Sequence, residues 1–267
     1  MKKINLDQIS YTSIPIEMHF SETKQKLATG TAFIYEYKQK SYLITNWHNV
    51  TGLDPLTKKP LAKHGGIPDI LVFKLQIQKE PYIKWDFFSM NLYNDNQAEW
   101  LVHPLHKELV DVVAIEIEKT EDFKGILRPI NKMKLDDFKL RIADEVFVLG
   151  FPYSITGGGS LPIWKRGSVA TEPDIDYENL PKFFIDTASK SGMSGSPVIF
   201  RRFGVHGAED GIIKISSTIG EIRGFVGVYS GRLTGKSELD AQLGIVWKKE
   251  VIEEIIKGNL KDERTFI

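Results

Sequence analysis

The stretch Ser191-Gly192-Met193-Ser194-Gly195-Ser196-Pro197-Val198 crowds small residues into a turn that runs straight into the apolar run Val198-Ile199-Phe200. Glycines let such a turn curl inward. A curl beside a hydroxyl can aim two backbone N–H groups at one point, the geometry that stabilises a tetrahedral oxyanion in acyl transfer. A plain Ser/Gly turn would carry the same residues, so the surrounding chain has to decide.

Outward from that turn, residues 31–37, 41–46, 70–77, 110–117, 145–149, 183–186, 198–201 and 224–229 form strand-length runs rich in branched and aromatic side chains, each bounded by turn residues. That pattern predicts an all-β sandwich or barrel rather than alternating βα units. One helix is expected, over 248–257, where Val251, Ile252, Ile255 and Ile256 share a face and Gly258 supplies a stop. No period of about 20–50 residues repeats. The polar stretch 118–140, with Pro129, divides the chain into two β units, residues 1–125 and 126–267. Residues 52–104 read as strands mixed with extended loops.

The 267 residues are 42% apolar and 26% charged, an ordinary globular balance. Lys plus Arg and Asp plus Glu number 35 each, so no global field draws the chain to nucleic acid or an anionic membrane. Without cysteine, neither a disulfide nor a thiolate site can form. The N-terminus begins basic but meets polar and acidic residues instead of an apolar run, so it reads as mature, soluble and cytoplasmic.

Two further segments carry chemistry. Ser41-Tyr42-Leu43-Ile44-Thr45-Asn46-Trp47-His48 places an imidazole at a strand end; the segment alone fits a hydrogen-bonded structural histidine better than a catalytic one. In Leu109-Val110-Asp111-Val112-Val113-Ala114 an acid interrupts an apolar run, and burial there demands a partner. An imidazole N–H would meet that demand and fix the tautomer that leaves the other nitrogen a base; a solvated strand-edge aspartate is the alternative. His19, His64, His103, His106 and His206 show no metal-ligand spacing and read as surface or loop residues, so no metal or other cofactor is assigned. Gly231-Arg232-Leu233-Thr234-Gly235-Lys236-Ser237 is one residue short of a phosphate loop and is set aside.

Thr45-x-x-His48, Asp111-Val112-Val113-Ala114 and Gly192-x-Ser194-Gly195-x-Pro197 occur in the order typical of trypsin-like serine peptidases, which the chain resembles from about Gly30 to Trp247. Gly30-Thr31-Ala32-Phe33-Ile34, Leu149-Gly150-Phe151-Pro152 and Ile185-Asp186-Thr187-Ala188 fit as flanking segments, the last as in HtrA-like members. The resemblance implies a chymotrypsin-like double barrel of two six-stranded antiparallel β-barrels with a C-terminal α-helix. It implies His48, Asp111 and Ser194 as a catalytic triad acting through an acyl-enzyme, with Gly192, Met193 and Ser194 around the oxyanion. It places Ala188 near the floor of the specificity pocket, and Tyr229, Ser230 and Gly231 along an extended substrate.

Met193 stands where pancreatic-type members carry an aspartate that pairs with a new N-terminus, so that switch is expected to be absent. Ala188 replaces the acid of trypsin itself, which predicts a small or apolar residue before the cleaved bond. The cysteine-free chain is nearer the bacterial or viral intracellular type. The expected partner is a protein or peptide substrate, with room for a regulatory protein. A catalytically silent peptide-binding module and an esterase or acyltransferase share these residues and remain the alternatives.

Overall fold

The computed structural model describes residues 5–265 apart from 24, 63, 64, 81, 137, 189, 207–211, 213–217 and 233–241. His64 and residues 233–237 of the glycine-rich segment thus lie outside the described residues. The first half of the chain contains β1 (Ser13–Phe20), β2 (Gln25–Tyr37), β3 (Lys40–Thr45), the one-turn helix α1 (Trp47–Thr51), β4 (Ile70–Lys79) and β5 (Tyr82–Asn91). A small hairpin, β6 (Tyr93–Asn94) and β7 (Gln97–Ala98), precedes β8 (Leu101–Val102), β9 (Val113–Ile117) and β10 (Gly125–Ile126). The second half contains β11 (Glu145–Gly150), β12 (Ile163–Val169), β13 (Lys182–Asp186), β14 (Pro197–His206), β15 (Thr218–Arg232) and β16 (Leu243–Lys248), then α2 (Glu250–Gly258) and β17 (Leu260–Lys261).

The second set closes as a six-stranded antiparallel barrel in the order β11-β12-β13-β16-β15-β14. The first forms a curled nine-stranded sheet in which β4, β1, β2, β3, β9 and β8 follow one another, while β5, β10 and β17 add to it at β4 and β8. Its inner faces meet in one core containing Ile14, Ile16, Leu43, Trp47, Leu71, Trp100 and Val113. Strand alternation explains this: residues two apart share a face, so each strand sends its apolar set to one side. The protein is therefore all-β with a C-terminal helix: the second unit is the expected closed six-stranded barrel, while the first is a curled, barrel-like sheet of nine strands rather than the expected six.

A further core lies between the barrels, where Phe33, Ile44, Val110 and Val112 of the first meet Leu149, Ile199, Phe225, Val228 and Trp247 of the second. Helix α2 plugs this seam with Val251, Ile252, Ile255 and Ile256, all buried, each worth about 1.5–3 kcal/mol of transfer free energy. The helix begins two residues later than periodicity suggested, because Lys248 completes β16; Gly258 is its last residue, and Asn259 at φ 48° caps it. Past that cap β17 pairs with β8, so the end of the chain returns to the first sheet.

Strand bounds departed from expectation mainly by extension. β14 and β15 run on to His206 and back from Thr218 as a long hairpin, paired residue by residue, in which Phe203 and Ile219 are exposed. Residues 110–112 precede β9, so Asp111 sits in the approach to the strand. Among the described residues, no helix is long and apolar enough to cross a membrane.

Asp262, just beyond β17, accepts the indole N–H groups of Trp47 (2.8 Å) and Trp100 (3.0 Å) on one carboxylate oxygen. Both indoles are buried, so removing the acceptor strands two donors, each costing about 1–3 kcal/mol. Asp262→Ala should lower unfolding free energy by about 2–5 kcal/mol, read by urea denaturation followed through tryptophan emission; an unchanged midpoint would show that the returning tail contributes nothing.

Candidate active site

Asn46 leaves β3 in extended conformation and starts α1, which presents His48 one residue into its single turn. The Asn46 amide also donates to the Asp111 carbonyl at 2.6 Å, so one buried side chain fixes both approaches. Asp111 is only 3% exposed, and its carboxylate would be costly there without partners. It accepts the His48 backbone N–H (2.9 Å) on one oxygen, and His48 Nδ1–H (2.7 Å) and the Ser230 hydroxyl on the other. Since an ionised carboxylate only accepts, the bond places an imidazole proton on Nδ1, which makes Nε2 the nitrogen that can take up or release a second one.

Ser194 comes from the second barrel. It lines the same cavity as His48, and a Cβ placed on Gly231 would lie 3.9 Å from its Oγ. The serine loop is docked onto β2: Thr31 donates its hydroxyl to Gly192 O and its backbone N–H to Ser194 O, both at 2.8 Å. Thr45 reaches back to Thr31 O (2.8 Å), and the Asn49 amide donates to Thr45 Oγ1 (2.9 Å) and to Ser194 O (3.2 Å). Two glycines permit this approach. Gly192 and Gly195 have φ of 93° and 85°, and a Cβ would lie 2.4 Å from Phe151 O at the first and 2.0 Å from Thr31 O at the second. Any side chain there would push the loop off its seat.

Following each peptide unit of the loop shows what remains free. Ser191 O is held by Tyr153 N–H (2.8 Å) and Met193 O by Ser196 N–H (3.1 Å). In a trans peptide the N–H points opposite to the C=O, so the Gly192 and Ser194 N–H groups face the other way, and neither has an acceptor among the described residues. Met193, expected to share this role, does not: its N–H is spent on Lys190 O (3.3 Å), and its side chain, 1% exposed, packs in the core of the second barrel.

Tyr229 is likewise corrected. Strand alternation turns its ring into the second core, and its backbone N–H and C=O are engaged by Ser196 and Gly195. Ser230 commits its hydroxyl to Asp111, although the β15–β16 ladder skips from Tyr229 to Arg232 and leaves the backbone of Ser230 and Gly231 outside it. Ala188 lies two residues past β13 and is exposed, above a buried Thr187. His103 is buried rather than superficial, bonded to Glu254 of α2 at 2.9 Å. Thr31, Asn46 and Asn49 were not singled out in the sequence; each is an ordinary polar residue whose role depends on segments far away in the chain.

Near the histidine, the Asp54 carboxyl is held below its ordinary range. Burial opposes its charge, but the Thr57 N–H and hydroxyl, the Leu56 N–H and attraction to His48 outweigh it.

No family model matches the chain, and no curated protein matches it. Solved structures to which it is similar include the Rv3671c protease in an inactive form, at 15% identity over 93% of this chain and 89% of that one, with a TM-score of 0.45. The Ser343Ala mutant of Rv3671c from M. tuberculosis H37Rv, also inactive, shows 14% identity over 93% and 86%, with a TM-score of 0.45. A thermostable serine protease AL20 from an extremophilic microorganism shows 13% identity over 92% and 94%, with a TM-score of 0.49. At such overlaps it is strand order and register that define the fold.

Thr31→Val keeps the shape of the side chain but leaves Gly192 O and the Phe151 N–H, which donates to Thr31 Oγ1 at 3.2 Å, without their partner. A loss of about 1–3 kcal/mol in chemical denaturation is expected. A loss below about 0.5 kcal/mol, within the ordinary range for an uninvolved site, would contradict the docking role.

Proposed function

We propose that the protein is a serine endopeptidase that cleaves an extended segment of a particular protein through an acyl-enzyme. The observation that carries this reading is the pair of outward N–H groups on Gly192 and Ser194, beside a serine hydroxyl and an imidazole oriented by a buried carboxylate. In this reading Ser194 Oγ attacks the scissile carbonyl while His48 Nε2 takes its proton. The carbonyl oxygen, now anionic, rests on the two free N–H groups. His48 then protonates the departing amine, and a water activated by the same nitrogen releases the acyl group. Asp111 holds the imidazole and stabilises its charged form, with Ser230 satisfying the remaining lone pair of that oxygen.

Substrate would lie along Ser230 and Gly231 as an added strand, the positions the β15–β16 ladder leaves unpaired. Ala188 would border the pocket for the residue before the cleaved bond, favouring a small or apolar one. Met193 replaces an ionic anchor by apolar burial, so the loop needs no newly cut N-terminus to hold its shape. Residues 1–125 and 126–267 act as two halves of one peptidase unit in this scheme. A cysteine-free chain of this kind suits the cytoplasm, where a regulatory partner would restrain it.

A fluorophosphonate probe should label the wild type and spare Ser194→Ala. Peptide-library cleavage should fall by at least about 10⁴-fold in Ser194→Ala and in His48→Ala. A wild type that takes no label overturns the reading; labelling without cleavage of any peptide turns it to ester or acyl-transfer chemistry on the same residues.

A further inference from the structure

The geometry points to selection of the substrate on the leaving-group side of the cleaved bond, by an apolar cavity that takes a large aliphatic side chain at the residue immediately after it. This rests on the serine-peptidase reading and adds to it a substrate class.

The cavity, about 300 Å³, opens directly at His48 and Ser194 and is walled by Met18, Leu27, Leu61 and Pro68. None of Ala188, Ser230 and Gly231, which border the acyl side, lines it. A side chain reaching it from the reacting carbonyl therefore leaves past His48, the group that protonates the departing amine. Its walls carry no acidic or basic side chain other than His48 among the described residues. A charged residue would lose water there without gaining a partner, whereas an aliphatic one gains burial.

The wall is preformed. Residues 52–62 and 65–68, between α1 and β4, fold back so that the Leu61 N–H donates to Gly52 O at 2.8 Å. A Cβ on Gly52 would meet Pro68 Cδ at 2.9 Å, and one on Gly66 would meet Leu27 Cδ2 at 2.9 Å. The loop thus sits in contact with β2 before any ligand arrives, which lowers the ordering cost of binding. Met18 closes the floor and is buried, while Leu61 is 54% exposed at the mouth.

The test is acyl transfer to added amines. An activated acyl ester acylates Ser194, and an amino-acid amide then competes with water. Its nitrogen attacks the acyl carbonyl, a C–N bond forms, the C–Oγ bond breaks, and His48 passes the amine proton to Ser194 Oγ. Leucinamide and methioninamide should capture the acyl group at least about tenfold better than glycinamide or aspartic acid α-amide at equal concentration, the scale of discrimination an apolar pocket supplies. Leu61→Asp, checked for folding by circular dichroism, should erase that preference and raise capture by argininamide. Equal capture of all amides by the wild type overturns the inference while leaving the peptidase reading intact. Absence of any acylation by ester or fluorophosphonate overturns that reading, and this inference with it.

Discussion

Thr31 binds the serine loop to the first barrel, and the geometry of the site depends on it. Its hydroxyl holds Gly192 O and its N–H holds Ser194 O, so the loop is pinned to β2 at the residues before and after Met193. Within the pinned loop, Ser191 O bonded to Tyr153 and Met193 O bonded to Ser196 leave the N–H groups of the same two peptide units, those of Gly192 and Ser194, turned the other way. Glycine at 192 and 195 is the steric condition for this seat, since a Cβ at either would enter a backbone carbonyl. Strand β2 thus acts as a template for a loop 161 residues away in the chain.

The same seam solves an electrostatic problem. A carboxylate buried as deeply as that of Asp111 needs every available donor, and it receives three from two segments: the backbone and ring N–H of His48 and the hydroxyl of Ser230. Satisfying the charge also sets the imidazole tautomer, so burial and orientation have one cause. The apolar seam around it, closed by α2, keeps water from competing for those bonds. The returning tail, with Asp262 under Trp47 and Trp100, ties the helix that carries His48 to the end of the chain.

On the outer side of the cleft the described part of the connection between α1 and β4, residues 52–62 and 65–68, forms a wall rather than strands. Asp54 organises its start through the Leu56 and Thr57 N–H groups, and close glycine contacts press the remainder against β2 and Pro68. The result is a recess continuous with His48 and Ser194, while Ser230 and Gly231, which do not line it, keep their backbone outside the β15–β16 ladder. The two sides would therefore read substrate by different physics, one through side-chain burial and the other through main-chain hydrogen bonds.

Period-two alternation and turn punctuation were enough to predict an all-β chain, because each strand's apolar face is written locally. The helical face of Val251, Ile252, Ile255 and Ile256 was legible for the same reason. Residue types in order pointed to His48, Asp111 and Ser194 as a group worth testing; His48 is bonded to Asp111, and His48 and Ser194 line one cavity. Local sequence could not show that Met193 N–H is consumed by Lys190, that Tyr229 turns into the core, or that Ser230 serves Asp111. Nor could it show the roles of Thr31, Asn46 and Asn49, whose partners lie between about 4 and 161 residues away. The sequence by itself determined which segments become strands and which residue types can do acyl chemistry. Only the tertiary structure decided which polar atoms are spent and which stay free, because a hydrogen bond between distant segments exists only once both barrels have closed and met.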